Sequence, residues 1–226
     1  MQEVNRMRVL FCNIAWMDFY KGITDKDTPK GGGSFVDEMQ NGNEIYNFLG
    51  EHISFDDGFL PEDNYCLGFV ETKTTNGEKR NQLHIEKIDG CEACIKEESV
   101  DDVLVIYCAT HPSHGFTTVV GWYQNATVFR HYQNIELTQD DGAVYEQACN
   151  AIAKKENCVL LPRSERSQIL KWKVPRKKNG ISYGFGRANV WFASEQQEND
   201  NLAKYLKELT DRINEYSGEN WIDRME

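Results

Sequence analysis

Asp63, Glu71 and Lys73 place two carboxylates and a lysine close together, the residue types with which a nuclease holds magnesium beside an attacking water. The gap between the acids is short, and Lys73 sits where a strand runs out toward the Asn76-Gly77 turn. A solvated strand end accounts for the same three residues. Cys91-x-x-Cys94, followed by His111-x-x-His114, offers two thiolates and two imidazoles to zinc. The histidine pair is tighter than zinc sites use, and the apolar strand Val103 to Ala109 separates the two pairs. Pro112 and Gly115 give the second pair the look of a turn. Lys30-Gly31-Gly32-Gly33-Ser34 lacks the Gly-Lys-Ser/Thr ending of a phosphate-binding loop, so its glycines either form a linker or let backbone approach a ligand closely. No Gly-x-Ser-x-Gly elbow, no His-Glu-x-x-His and no nucleophile with its base occurs. The chain reads as a binding module without a catalytic set, and neither cofactor nor metal is expected.

The run from Val119 to Arg130, VVGWYQNATVFR, is the richest binding signal. It reads as one or two strands, with two short ones spliced at Tyr123-Gln124-Asn125-Ala126. Aromatic and β-branched residues suit a pleated, half-buried surface, and Asn suits a turn. Trp-Tyr beside Gln-Asn fits a cavity that stacks a flat ring and hydrogen-bonds its edge.

The elements that must position such a site follow from the hydrophobic pattern. Arg8 to Trp16, Tyr65 to Thr72, Leu83 to Ile88, Val103 to Ala109 and Ala188 to Ala193 are expected strands. Glu44 to Leu49 is a short helix or turn. Gly142 to Lys154 is an expected helix, with Val144, Ala148 and Ile152 at four-residue spacing. From Asp200, Leu202, Tyr205, Leu206, Leu209, Ile213 and Tyr216 mark an amphipathic helix that Asn199 or Asp200 would cap. The class is α+β, a curled sheet or small barrel flanked by helices. Residues 1–197 form the domain, and 198–226 form a helix that either packs on it or connects to something further.

The 226 residues carry a formal net charge of −11, which disfavours indiscriminate coating of nucleic acid. The charge is uneven. Arg163 to Arg187 holds eight basic residues against Glu165, a balance of +7 that leaves −18 for the rest. Val36 to Asp63 holds eight acids and no lysine or arginine. One face that attracts a polyanion and one that repels it would explain this, as would two solvated surfaces. Seven scattered cysteines do not form a disulfide framework, and a reducing cytoplasm is expected. The apolar run Val9 to Met17 is broken by Asn13 and has no cleavage site. It is a first strand rather than a signal peptide, and no segment is long enough to span a membrane.

Three segments, in order, carry a resemblance. Arg8 to Gly22 (RVLFCNIAWMDFYKG) continues through the GGGSF loop to Asn43-Glu44-Ile45-Tyr46-Asn47-Phe48. VVGWYQNATVFR follows, and Tyr183 to Phe192 (YGFGRANVWF) closes the set. Together they resemble the N-terminal reader domain of modification-dependent restriction endonucleases, related to EVE and YTH domains of the PUA-like superfamily, from Arg8 to Phe192. The resemblance implies a small β-barrel flanked by helices. It also implies that a methylated or hydroxymethylated cytosine is flipped from double-stranded DNA into an aromatic pocket beside a basic surface. Such domains often precede an HNH nuclease domain. No His-Asn-His set follows Phe192, so cleavage is expected to need a nuclease domain or subunit outside this sequence.

The residues that suit this role are Trp16, Phe35, Trp122 and Tyr123 as stacking walls, with Asn13, Ser34, Asn125 and Asn189 for the base edge. The tryptophans, Trp191 included, are equally candidates for the core. Arg163, Arg166, Lys171, Lys173, Arg176, Lys177, Lys178 and Arg187 are candidates for DNA phosphates. Three other readings stand beside this one. They are an RNA-binding module of the same superfamily, a metal-dependent nuclease on Asp63, Glu71 and Lys73, and an interaction domain whose last helix makes a homodimer.

Overall fold

A single strand of 22 residues organises the molecule. The computed structural model describes residues 7–31, 43–52, 64–72, 82–138, 144–178, 180–194 and 196–224. Ser34, Phe35, Asp63 and Lys73 lie outside them. The strands are β1 (Val9–Asn13), β2 (Gly50–His52), β3 (Asn64–Gly68), β4 (Ser99–Thr110), β5 (Thr117–Thr138), β6 (Val144–Lys154), β7 (Cys158–Leu160) and β8 (Val190–Trp191). They form one mixed sheet in the order β2-β3-β6-β5-β4-β1-β8, with β7 also on β5. β1 runs parallel to β4, and the other pairs are antiparallel. Among the described residues this α+β sheet is open rather than a closed barrel.

Long β5 serves two neighbours along one edge. Its Thr127–Thr138 half pairs with β6, and after a short 3-10 turn at Lys155–Asn157 the same chain returns as β7 on Gly121–Tyr123. The VVGWYQNATVFR run is therefore one continuous strand, not two. Asn125, at φ 51°, and Gln124 are accommodated at a bulge, where β4 advances from Val103 to Val105 while β5 retreats from Ala126 to Tyr123. Gly121 leaves room at a close crossing. A Cβ there would lie 2.4 Å from the Val159 carbonyl oxygen and 2.6 Å from the Phe48 ring.

Two sequence expectations fail for identifiable reasons. The segment expected as a helix from Gly142 is strand β6 from Val144 onward. Positions Val144, Ala148 and Ile152 share a helix stripe, but an even spacing also puts them on one face of a strand. Ile152 packs there with Tyr65, Leu67 and Cys149. Leu83 to Ile88 is not a strand. It contains a 3-10 turn at Ile85–Lys87, with Leu83, Ile85 and Ile88 all buried.

The sheet buries both faces. One carries Leu10, Cys12, Val105, Tyr107 and Tyr123 against Tyr20, Ile45 and Phe48. The other carries Val9, Phe11, Ile106, Cys108, Trp122 and Trp191. A short helix α1 (Arg163–Arg166) leads into α2 (Ile169–Trp172), and the second face is covered by α2, α3 (Asp200–Asn214) and their flanks. Trp172 sits beside Trp122, with ring centroids 5.7 Å apart. α3 is the helix expected from the apolar spacing, and Asn199 caps it by accepting from the Leu202 N–H at 3.1 Å. Leu202, Leu206, Leu209 and Ile213 are spent on this core. The apolar stripe of α3 is thus covered within the chain, and the helix packs on the sheet. No helix among the described residues is long and apolar enough to cross a membrane.

Candidate nucleic-acid interface

The loop that follows β1 is held by side chains rather than by secondary structure. Glu44 Oε1 accepts from the Ala15 N–H at 2.8 Å, and Asp27 accepts from the Asp18 and Phe19 N–H groups at 2.7 and 2.8 Å. Tyr20 donates to the Ala15 carbonyl at 2.7 Å. Arg166, fully buried, donates to the carbonyls of Leu161, Met17 and Asp18 at 2.6, 2.6 and 2.8 Å. An irregular buried backbone needs such partners, since each unpaired group costs about 1–3 kcal/mol. Burial pulls the Arg166 pKa below its ordinary value, with Tyr20, Asp18 and Asp27 acting against that shift. The loop, and Trp16 within it, is thus rigidly placed.

At the end of β1, several expected site residues do meet. The Asn13 N–H donates to the Asn189 carbonyl at 2.7 Å, and Arg176 Nη2 donates to Asn13 Oδ1 at 3.2 Å. Arg176 Nε also donates to Thr117 Oγ1 at 2.7 Å, and its guanidinium lies over the Phe185 ring at 5.7 Å. Asn189 Nδ2 reaches the Glu71 carbonyl at 3.4 Å. Because strand side chains alternate, Asn13 lies on the face of Phe11, and Phe11 pairs with Trp191. A cleft of about 240 Å³ opens next to this junction, lined by Lys177, Tyr183, Trp191, Phe192 and the backbone of Gly184 and Gly186 and not by Asn13, Arg176 or Asn189 themselves. Aromatic walls, one cation and neighbouring amides could receive a single planar base.

Other expected residues do not join this constellation. Trp122 and Tyr123 are 1% and 0% exposed, and as adjacent strand residues they point to opposite faces. Trp122 packs on Trp172 and Tyr216, while Tyr123 packs between Phe48 and Tyr107 and donates to the Asn47 carbonyl. Neither can form a wall of an open pocket. Asn125 is exposed at the β5 bulge, where its left-handed conformation lets the strand continue. Trp16 is also buried, with His111 against its ring at 4.8 Å and the Arg166 guanidinium at 5.4 Å. It braces the site rather than lining it.

The cationic set divides in the same way. Arg166 is spent on three carbonyls and cannot reach a phosphate. Arg163 pairs with Asp18, and Lys171 pairs with Glu165 at 2.7 Å. Arg176 is half-buried on Asn13 and Thr117. Lys173, Lys177, Lys178 and Arg187 are exposed, and none has a carboxylate partner among the described residues. Among the described residues these four are the cations of the segment without an ion-pair partner.

Sequence reasoning passed over three residues here. His111, read as a turn residue, packs at a tilt against Trp16, shares a hydrogen bond with Ser167 Oγ at 3.0 Å and accepts from the Ser113 N–H on Nδ1. Burial and neighbouring His114 hold its pKa below the ordinary value. Among the described residues no group of three or more His, Cys, Asp or Glu could hold a metal ion. Glu44 lies inside the NEIYNF motif, where an acid directly before the apolar Ile45-Tyr46 pair was the available signal. Leu170 is 96% exposed within the basic segment.

Burial raises the Glu44 pKa to about 7 from 4.5, the charge of Glu71 adding to the shift and the Ala15 N–H opposing it. Between these two values the folded state keeps a proton that the unfolded chain has released, so stability falls as pH rises through the window. Glu44→Gln keeps an acceptor for Ala15 and removes the titration. The variant is expected to gain on the wild type from pH 5 to pH 8, by up to about 3 kcal/mol. Urea midpoints at the two pH values test this, and parallel shifts in both proteins would refute it.

Compared with protein-family models, curated proteins and solved structures, the chain matches none.

Proposed function

We propose that this chain is a DNA-binding specificity module that reads a modified cytosine, 5-methyl or 5-hydroxymethyl, as part of a modification-dependent restriction system in a reducing cytoplasm. One observation carries the reading. An aromatic cleft with Lys177 at its side opens beside the Asn13–Asn189–Arg176 junction and is continuous in sequence with Lys173, Lys178 and Arg187. Extruding a base costs a few kcal/mol, and aromatic stacking returns about 1–3 kcal/mol per base. Phosphate contacts must supply the remainder, which is the part assigned to the exposed cations. Tyr183, half-buried, replaces Trp122 and Tyr123 as the stacking surface, with Trp191, stacked on Phe11, behind it in the cleft lining. Asn13 and Asn189, next to the cleft and bonded to Arg176 and the Glu71 carbonyl, would have to exchange these partners to bond the base edge.

The small curled barrel belongs to the same proposal. The Asn189–Glu71 hydrogen bond joins the segment before β8 to the segment after β3, which lie toward opposite ends of the strand order. Such a bond supports a sheet curled toward closure. Cleavage would come from a nuclease domain or subunit acting with this one.

A fluorescence-polarisation titration on one duplex carrying cytosine, 5-methylcytosine or 5-hydroxymethylcytosine tests the reading, with a matched RNA as competitor. At least about tenfold preference for one modified form is expected, the scale of one good base contact. Equal affinity for all three duplexes would refute modification reading, and RNA outcompeting DNA would assign the site to RNA.

A further inference from the structure

We infer that Leu170 is a wedge that enters the DNA base stack and holds it open when the modified base leaves, an inference that rests on the reader function proposed above. Leu170 is 96% exposed, and its neighbour Ile169 is 44% exposed. An isolated surface leucine needs no explanation. This one stands on a short helix whose inner side is anchored. Trp172, two residues on, is completely buried against Trp122. The N–H groups of Lys171 and Trp172 both donate to the Gln168 carbonyl, at 2.9 and 3.0 Å, and that of Lys173 donates to Ile169 at 3.2 Å. Arg212, from α3, donates to the Lys171 carbonyl. Glu165 ties the turn together by accepting from Lys171 Nζ at 2.7 Å and Trp172 Nε1 at 3.0 Å.

The result is an apolar side chain projecting from a rigid base, in the stretch of the chain with eight cations and one acid. That one acid is neutralised by Lys171. A polyanion is the partner that this charge selects, and a protein surface of ordinary composition is not. The geometry also connects the turn to the cleft. The chain leaving it makes a bridge from Lys173 to Thr118, bonds the Val174 N–H to the Thr117 carbonyl at 2.8 Å, and reaches Asn13 through Arg176. Apolar side chains inserted between base steps unstack them and replace the contact area that the duplex loses. Leu170 is built for that part of the work, while the cleft takes the base.

The test uses the full chain and two duplexes. One carries 5-methylcytosine (or 5-hydroxymethylcytosine, whichever the wild type prefers) paired with guanine. In the other the same base faces an abasic site, so that little stacking or pairing has to be broken. Leu170→Ala is expected to weaken binding to the paired duplex by about tenfold and to the abasic duplex by less than about threefold, while Leu170→Phe, still a wedge, stays near wild type on both. Equal losses on both duplexes, or no loss on either, would overturn the wedge. A change in self-association measured by sedimentation, with DNA binding intact, would overturn it in favour of a protein contact. Failure of the underlying reader function shows separately, as a wild-type protein that does not distinguish modified from plain duplex, and the wedge then falls with it.

Discussion

Arg166→Met is expected to destabilise the protein by about 3–5 kcal/mol, the scale of breaking a buried polar network. The guanidinium is fully enclosed and serves the carbonyls of Leu161, Met17 and Asp18 at once, from below the ring of Trp16. Methionine fills much of the volume but leaves three acceptors without donors. Relief of the buried charge offsets part of that cost, so the expected loss stays below the sum of three orphaned groups. For a chain of this size it corresponds to a fall in Tm of roughly 10 °C. Arg166→Lys should recover little, because an ammonium cannot spread over three carbonyls as a planar fork does. Thermal unfolding followed by circular dichroism measures both variants. A Tm within about 3 °C of wild type for Arg166→Met would show that the β1 loop does not depend on this residue.

Replacing Lys173, Lys177, Lys178 and Arg187 together by glutamine is expected to remove most of the salt dependence of DNA binding. Each phosphate contact contributes about 0.9 to the slope of log affinity against log salt, so four should lower it by about 3 to 4. Near 0.1 M salt that is on the order of a thousandfold in affinity. The four side chains are exposed, and the net charge moves only from −11 to −15, so the fold should be unaffected. The preference for a modified base should survive at low salt in a Lys173, Lys178 and Arg187 triple variant, because these three lie outside the cleft that Lys177 lines and position the duplex without reading it. An unchanged slope would move the DNA-binding surface elsewhere on the molecule. Substituting Arg163, Lys171 and Arg176 instead should have a smaller effect on the slope, since these cations already have partners within the chain.

Much of the strand content was legible because it rests on local pattern. Val9–Asn13 and the Val103 to Ala109 part of Ser99–Thr110 are runs of apolar and β-branched residues whose burial on both faces is visible as continuity, while Ser99 to Asp102, with the exposed Asp101 and Asp102, was not legible. The last helix was legible from its spacing and its Asn199 cap, both of which are read within a few residues. β6 was not. Its even-numbered apolar positions satisfy two periods at once, and only pairing with β3 and β5 decides between them. The bulge at Asn125 was read as a break for a related reason, since Asn at a left-handed position signals a turn whether or not the strand resumes.

The site divides along the same line. By itself the sequence determined that the chain has a basic segment between Arg163 and Arg187, an aromatic sheet and no local catalytic motif, because charge balance, residue type and short spacing are properties of neighbours along the chain. Only the tertiary structure decided which members of those sets are available. It buried Trp122 and Tyr123 on opposite faces, enclosed Arg166 among carbonyls, and left Lys173, Lys177, Lys178, Arg187 and Leu170 in solvent. It also brought Asn13, Arg176 and Asn189 together from three distant segments. Availability depends on what fills the space around a side chain, and most of what fills it comes from residues far away in sequence.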